Sequence, residues 1–167
     1  AIKAGVDSIE HASFLDDEAI ALAKKHGTWL SMDIYNTEYT LSFGEQNGVD
    51  EENLNKERQV SKKQRDSFNR AVKAGVNMVF GTDAAIYPHG DNAKQFSRMV
   101  KFGMSELQAI QAATINSAKL LKMDNKLGQL KTGFAADIIA VKGNPLKNIS
   151  VLERIPFVMK AGVVYKK

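Results

Sequence analysis

The sequence predicts an α/β protein made of successive strand–helix units, either a parallel barrel or an open doubly wound sheet, with a small β segment at its carboxyl end. Two observations carry this. The first is an internal repeat: residues 1–9 read Ala-Ile-Lys-Ala-Gly-Val-Asp-Ser-Ile, and residues 71–79 read Ala-Val-Lys-Ala-Gly-Val-Asn-Met-Val. Each copy has the form of a helix end, a glycine just beyond it and a short buried strand. The second is spacing. The copies lie 70 residues apart, and a strand–helix unit of a barrel takes roughly 30 residues. Two units fit the gap, so a third strand belongs between the copies. Thr28 to Ile34, directly after Gly27, supplies it.

In chain order, Val6 to Ile9 is the first strand, ending at Glu10-His11. Asp16 or Asp17 caps a helix that runs to about His26. Lys24, Lys25 and His26 fall in its last turn, where positive charge suits the helix dipole, so His26 reads as a surface residue. The second strand ends near Tyr35. Residues 36–51 are polar and contain glycine, which predicts a long connection of the kind that rims a pocket. A charged helix follows from about Glu52 to Ala74, with a core stripe only in its later part (Phe68, Ala71, Val72). Met78-Val79-Phe80 is the third strand. Asn92 to Phe102 reads as a helix ended by Gly103. Ser105-Glu106-Leu107-Gln108 has the pattern of a capping box. The helix it opens carries Leu107, Ile110, Thr114, Ser117 and Leu121 at core-packing spacing. From Gly128 the character changes, which divides the chain into 1–127 and 128–167. Ala136 to Val141 is a strand, and Phe157–Lys160 with Val163–Tyr165 forms a hairpin around Ala161-Gly162.

Composition bounds the function. The 167 residues carry a net charge of +4 and are 44% hydrophobic, which is ordinary globular composition. The basic residues concentrate in one helix with few aromatics, as on a solvated face, so no nucleic-acid partner is expected. No apolar run is long enough to span a bilayer, and no membrane partner is expected. The absence of cysteine excludes disulfides and thiolate metal sites. The chain opens on Ala1 in what reads as the last turn of a helix, so a carboxyl-terminal part of a larger protein is expected.

The chemistry gathers at strand ends. The first copy of the repeat is followed by Glu10-His11 and the second by Gly81-Thr82-Asp83. Carboxyl ends of strands are where α/β folds place their reactive groups. An aspartate there also suits turn capping, and the residues alone leave both readings open for Asp83. His11 and Asp83 are ligand types suited to zinc, manganese or iron. Two are too few for a catalytic site, and Glu10 and His89 are the remaining candidates. Side-chain alternation turns Glu10 away if His11 points inward. His89 is a substrate contact, an acid–base group or a polar loop residue.

Taken together, Ile9-Glu10-His11, Gly81-Thr82-Asp83, Pro88-His89-Gly90, Ala109 through Ser117, Leu127-Gly128-Gln129-Leu130, Gly133 and Ala136-Asp137-Ile138-Ile139 resemble the amidohydrolase superfamily. The nearest branch is that of imidazolonepropionase-like and Xaa-Pro dipeptidase-like enzymes, and the resemblance covers essentially the whole chain. It implies the carboxyl-terminal part of a (β/α)8 TIM-type barrel, strands six to eight with their helices (1–127), followed by a β segment of a small sandwich domain (128–167). It implies one or two divalent ions, commonly zinc, in the intact enzyme. His11 matches the metal-ligand histidine after strand six. Asp83 matches the aspartate after strand eight, which binds metal and serves as the base. Tyr35 is the candidate by position for a substrate-binding tyrosine after strand seven, with Tyr39 close by. The implied activity is hydrolysis of C–N bonds in dipeptides or N-acyl amino acids by a metal-activated water. The family's other ligands match nothing in this sequence and would lie upstream of Ala1. The chain alone is therefore expected to lack a complete site and to be inactive, and to associate with itself or with the amino-terminal half. The alternative is a half-barrel module for binding or assembly without catalysis.

Overall fold

Three short parallel strands frame the molecule: β1 (Ser8–Glu10), β2 (Trp29–Ser31) and β3 (Met78–Val79), side by side in that order. Ile9 lies beside Leu30, and Leu30 beside Met78. The computed structural model describes all of residues 1–167. The expected third strand between the repeat copies is thus present, at the centre of the sheet. It is shorter than the Thr28–Ile34 run, because the chain leaves the sheet after Ser31 and the Ile34 N–H already bonds the Met32 carbonyl. β1 likewise begins at Ser8 rather than Val6, and extends to Glu10.

Helices join the strands. α1 (Asp17–His26) starts where the Asp16 carboxylate accepts the Ala19 N–H at 2.7 Å, and stops at Gly27, whose φ of 70° a side chain would resist. Between β2 and the long helix the structure corrects the sequence reading. Residues 36–51 are not an irregular connection throughout, because α2 (Ile34–Phe43) fills half of them. Its sequence lacks an amphipathic pattern because its first turn is buried throughout. Ile34, Tyr35, Asn36 and Thr37 are all inaccessible, polar and apolar alike. α3 (Glu51–Ala74) is capped by Asp50 and ended by Gly75. Its buried face begins at Leu54, earlier than expected, and continues through Ser61, Gln64, Ser67, Phe68 and Ala71. The buried middle of that face is polar.

α4 (Lys94–Lys101) is followed by the predicted capping box, in which the Gln108 N–H meets Ser105 Oγ and the Ser105 N–H meets Gln108 Oε1. α5 (Glu106–Gln111) then passes through a π-helical turn, Ala112–Asn116, into α6 (Ser117–Leu120). The expected stripe through Leu107 and Leu121 is not the packed face, since both are more than half exposed. Ala109, Ala112 and Ala118 are buried instead. Their small size lets the backbone approach β3 closely, so that the Phe80 N–H bonds the Ala112 carbonyl and Asn116 Nδ2 bonds the Met78 carbonyl. The widened π turn shifts the helical face.

β4 (Ile138–Ala140), β5 (Phe157–Lys160) and β6 (Val163–Lys166) form a separate antiparallel sheet with the expected hairpin. A 3-10 turn, Ile149–Glu153, buries Ile149 and Leu152 in the same apolar core as Leu30, Phe68 and Met99. No helix is long and apolar enough to cross a membrane.

Candidate metal centre

The three strands end at one level, and the residues just beyond them converge. His11 (φ 62°), Ala12 (φ 46°) and Asp83 (φ 48°) all take the left-handed conformation without being glycine. Such a residue persists only where its surroundings fix it, at about 1–2 kcal/mol of strain. The alternation of a strand therefore does not continue into His11. Glu10 is not turned away as expected but lines the same cleft, together with His11, Ser31, Asp33, Gly81, Thr82 and Asp83. Its carboxylate accepts from the Ser8 hydroxyl at 2.7 Å.

His11 and Asp83, 72 residues apart, are brought together as the sequence predicts, and Asp33 joins them. One ligand atom from each of the three lies within 4.8 Å of the others. A divalent ion holds its ligands at about 2.0–2.2 Å, which sets neighbouring ligand atoms about 3–4 Å apart, so small side-chain adjustments would bring these atoms to ligand spacing. Imidazole and carboxylate are donor types suited to zinc, manganese or iron. His11 and Asp83 are exposed, whereas Asp33 is only 6% exposed.

Polar partners hold the cluster. His11 Nδ1 lies 3.1 Å from Asp33 Oδ1. Asn36 Nδ2, in the first turn of α2, donates to Asp33 Oδ2 at 3.0 Å and to Asp83 Oδ2 at 3.2 Å. Gln64 Nε2, from the polar middle of α3, reaches Asp33 Oδ1 and Ser13 Oγ, each at 3.5 Å. Two adjacent carboxylates repel, and the Asn36 amide offsets this by serving both. Asp33, Asn36 and Gln64 were missed by sequence reasoning. Asp33 lay inside the predicted strand and Asn36 in the predicted loop. The signal that could have found Asp33 was the repeat itself: if the outer strands each end on a ligand, the one between them invites the same search.

Tyr35 lies beside the site but not in its lining. It is buried, with its ring edge-on to Tyr87 at 4.8 Å and the Arg98 guanidinium 5.1 Å from its centroid. Its N–H donates to Gln95 Oε1 at 2.8 Å. Arg98 Nε donates to Glu38 Oε1 at 3.0 Å, and its Nη1 lies 3.6 Å from Glu153 Oε1. Burial works to raise the Glu38 carboxyl, but the hydrogen bond and charge of Arg98, with Lys101 and Arg65 behind it, hold it below the ordinary value. Burial pushes the Tyr87 phenol up to about 12, and its bond to the Thr82 carbonyl opposes this only in part. His89 is exposed at the start of a short 3-10 turn, His89–Asp91, outside the residues lining the cleft.

Comparison with known proteins fits this arrangement. The pattern of the amidohydrolase family matches residues 1–165. Ochratoxinase from Aspergillus niger is 35% identical over 172 residues, covering 99% of this chain and 35% of that protein. Among solved structures, a Xaa-Pro dipeptidase with methionine bound in its active site is 43% identical, with a TM-score of 0.92 over all of this chain and 41% of the other. A prolidase complexed with N-methylphosphonate-L-proline is 28% identical, with a TM-score of 0.91 over all of this chain and 42% of the other. The chain thus spans well under half the length of these proteins.

Proposed function

This chain belongs to the amidohydrolase family, and from that membership we propose that it forms the carboxyl-terminal part of a metal-dependent hydrolase of C–N bonds, acting on dipeptides or N-acyl amino acids. The observation that carries the reading is the convergence of His11, Asp33 and Asp83 at one end of the parallel sheet. The similarity to a dipeptidase, a prolidase and an ochratoxinase supports the bond type. We read β1, β2 and β3 as the sixth, seventh and eighth strands of a (β/α)8 barrel, and β4 to β6 as part of a small sandwich domain. The parallel order of the first sheet and the separate antiparallel sheet support this.

His11 and Asp83 hold the ion, which we take to be zinc. When bound, the ion supplies a water acidic enough to ionise near neutrality and polarises the scissile carbonyl. Asp83 takes the proton from the attacking water and passes it to the leaving amine. Tyr35, buried beside the cleft, and His89, exposed outside its lining, are the proposed substrate contacts. The exposed faces of His11 and Asp83 leave room for ligands from polypeptide upstream of Ala1. The outer edges of β1 and β3 have no strand partner in the sheet, which supports association with the amino-terminal half or with a second copy.

The test is elemental mass spectrometry of the protein that carries this chain, paired with hydrolysis of Xaa-Pro dipeptides and N-acyl amino acids. One or two ions per chain, lost together with hydrolysis in His11→Ala and Asp83→Ala, is the expected result. A folded wild-type protein that binds no metal overturns the reading. Function that survives both substitutions favours a binding or assembly module instead.

A further inference from the structure

Asp33 and Asp83 are both carboxylates of the cluster, but their surroundings differ. Asp83 is exposed and meets one side-chain donor, Asn36. Asp33 is buried and meets two, Gln64 at Oδ1 and Asn36 at Oδ2, with His11 Nδ1 also 3.1 Å from Oδ1. An ionised carboxylate offers about four lone-pair positions, so protein nitrogens already face most of those on Asp33.

A simpler role for Asp33 would be to cap α2, since it stands at the N-cap position and aspartate is favoured there. Its side chain makes no capping bond. The Tyr35 N–H in the first turn is met instead by Gln95 Oε1 at 2.8 Å, from α4. Gln95 is itself fully buried, with Nε2 donating to the Met32 carbonyl at 2.7 Å. With that N–H satisfied from another helix, the Asp33 carboxylate is turned toward His11.

Resting on the metal reading above, we propose that Asp33 is the positioning residue of this centre: it accepts Nδ1–H of His11 and so leaves Nε2 as the ring's free donor to the ion, while Asn36 sets the place of Asp83 from the same carboxylate. A carboxylate can only accept, so the proton sits on Nδ1 and the tautomer is fixed. Partners of this kind raise the basicity of a ligating imidazole and hold its ring plane. Asn36 spends its amide on both carboxylates, so a displacement of Asp33 is felt at Asp83 as well as at His11.

The test uses the protein that carries this chain, titrated with zinc against a chromophoric chelator, and then loaded with cobalt for proton NMR. His11→Ala and Asp83→Ala should lose the ion. Asp33→Ala should keep its stoichiometry at saturating zinc and bind about 10- to 100-fold more weakly. Asp33→Asn, which retains an acceptor for Nδ1–H, should lose less, and it guards against a folding defect in the alanine variant. Cobalt-loaded wild type should show a paramagnetically shifted, slowly exchanging imidazole N–H. That signal should be absent in His11→Ala and lost to fast solvent exchange in Asp33→Ala. Loss of stoichiometry in both Asp33 variants, matching His11→Ala, would make Asp33 a ligand and overturn the proposal. Unchanged affinity with an unchanged N–H signal would make it a bystander and overturn the proposal equally. A wild-type protein that binds no ion removes the metal reading itself, an outcome distinct from either.

Discussion

A methyl group on Gly81 would fall 2.1 Å from Ser31 Oγ. The chain just past β3 therefore runs close against Ser31 at the end of β2, and a side chain at position 81 fits only if that hydroxyl gives way. Gly81 stands two residues before Asp83, so this contact also sets where the cluster's third member begins. Gly81→Ala should destabilise the fold by about 1–3 kcal/mol, as overpacking does. The offending atom is a single hydroxyl, so Ser31→Ala in the same chain should restore most of the loss. Urea denaturation of the four members of this cycle measures the coupling. Additive effects would show that the strain lies elsewhere.

Asp83 combines a left-handed backbone with a carboxylate of the cluster. Asparagine tolerates that conformation nearly as well. Asp83→Asn should therefore keep the thermal midpoint near that of wild type, while the hydrolysis proposed for the protein that carries this chain falls by about 10²- to 10⁴-fold, the usual loss of an acid–base group. Asp83→Ala should lose activity similarly and also about 1 kcal/mol of stability, because alanine meets the left-handed penalty in full. Calorimetry beside steady-state kinetics separates the two effects.

The Glu38–Arg98 pair joins α2 to α4 with both side chains about three-quarters buried. Arg98→Ala should cost about 1–3 kcal/mol, between exposed and fully buried pairs. The Glu38 carboxyl titrates lower in the folded chain than its ordinary value. Its contribution is thus complete above the unfolded value, near about 4.3, and is lost as pH falls through the folded one. Glu38→Gln should be less stable than wild type at neutral pH, and the gap should close in acid. Denaturation midpoints at pH 7 and at stepwise lower pH test the sign.

Tyr87 behaves in the opposite sense. Its phenol is raised to about 12 in the folded chain, so stability is intact below the unfolded value, about 10, and falls as pH rises from there through the folded one. Ultraviolet titration should show a late tyrosinate component near the raised value that Tyr87→Phe removes. The same substitution gives up the bond to the Thr82 carbonyl and should cost about 1 kcal/mol at neutral pH.

The sequence made the outer strands legible because the repeat marked both, down to His11 and Asp83 at their ends. It marked the helix boundaries where capping chemistry was local: Asp16 and Gly27, Gly75, Ser105 and Gln108. It concealed α2, whose buried first turn mixes Ile34 and Tyr35 with Asn36 and Thr37, and so shows neither periodicity nor a cap of its own. The cap is Gln95, from 60 residues away. It concealed Asp33 for the same reason, since Asp33 takes its meaning from partners just past β1 and on α2 and α3. The π turn at Ala112–Asn116 hid the packed face of its helix, because a wider turn rephases a stripe that constant periodicity assumes.

The turn Ile149–Glu153 has a practical consequence. Although it belongs to the terminal segment, Ile149 and Leu152 sit in the central core beside Met99 and Leu30. A protease nick, affinity tag or fusion joint at that turn would open the interior, whereas the exposed Ala161-Gly162 hairpin offers a neighbouring position that takes an insertion into solvent.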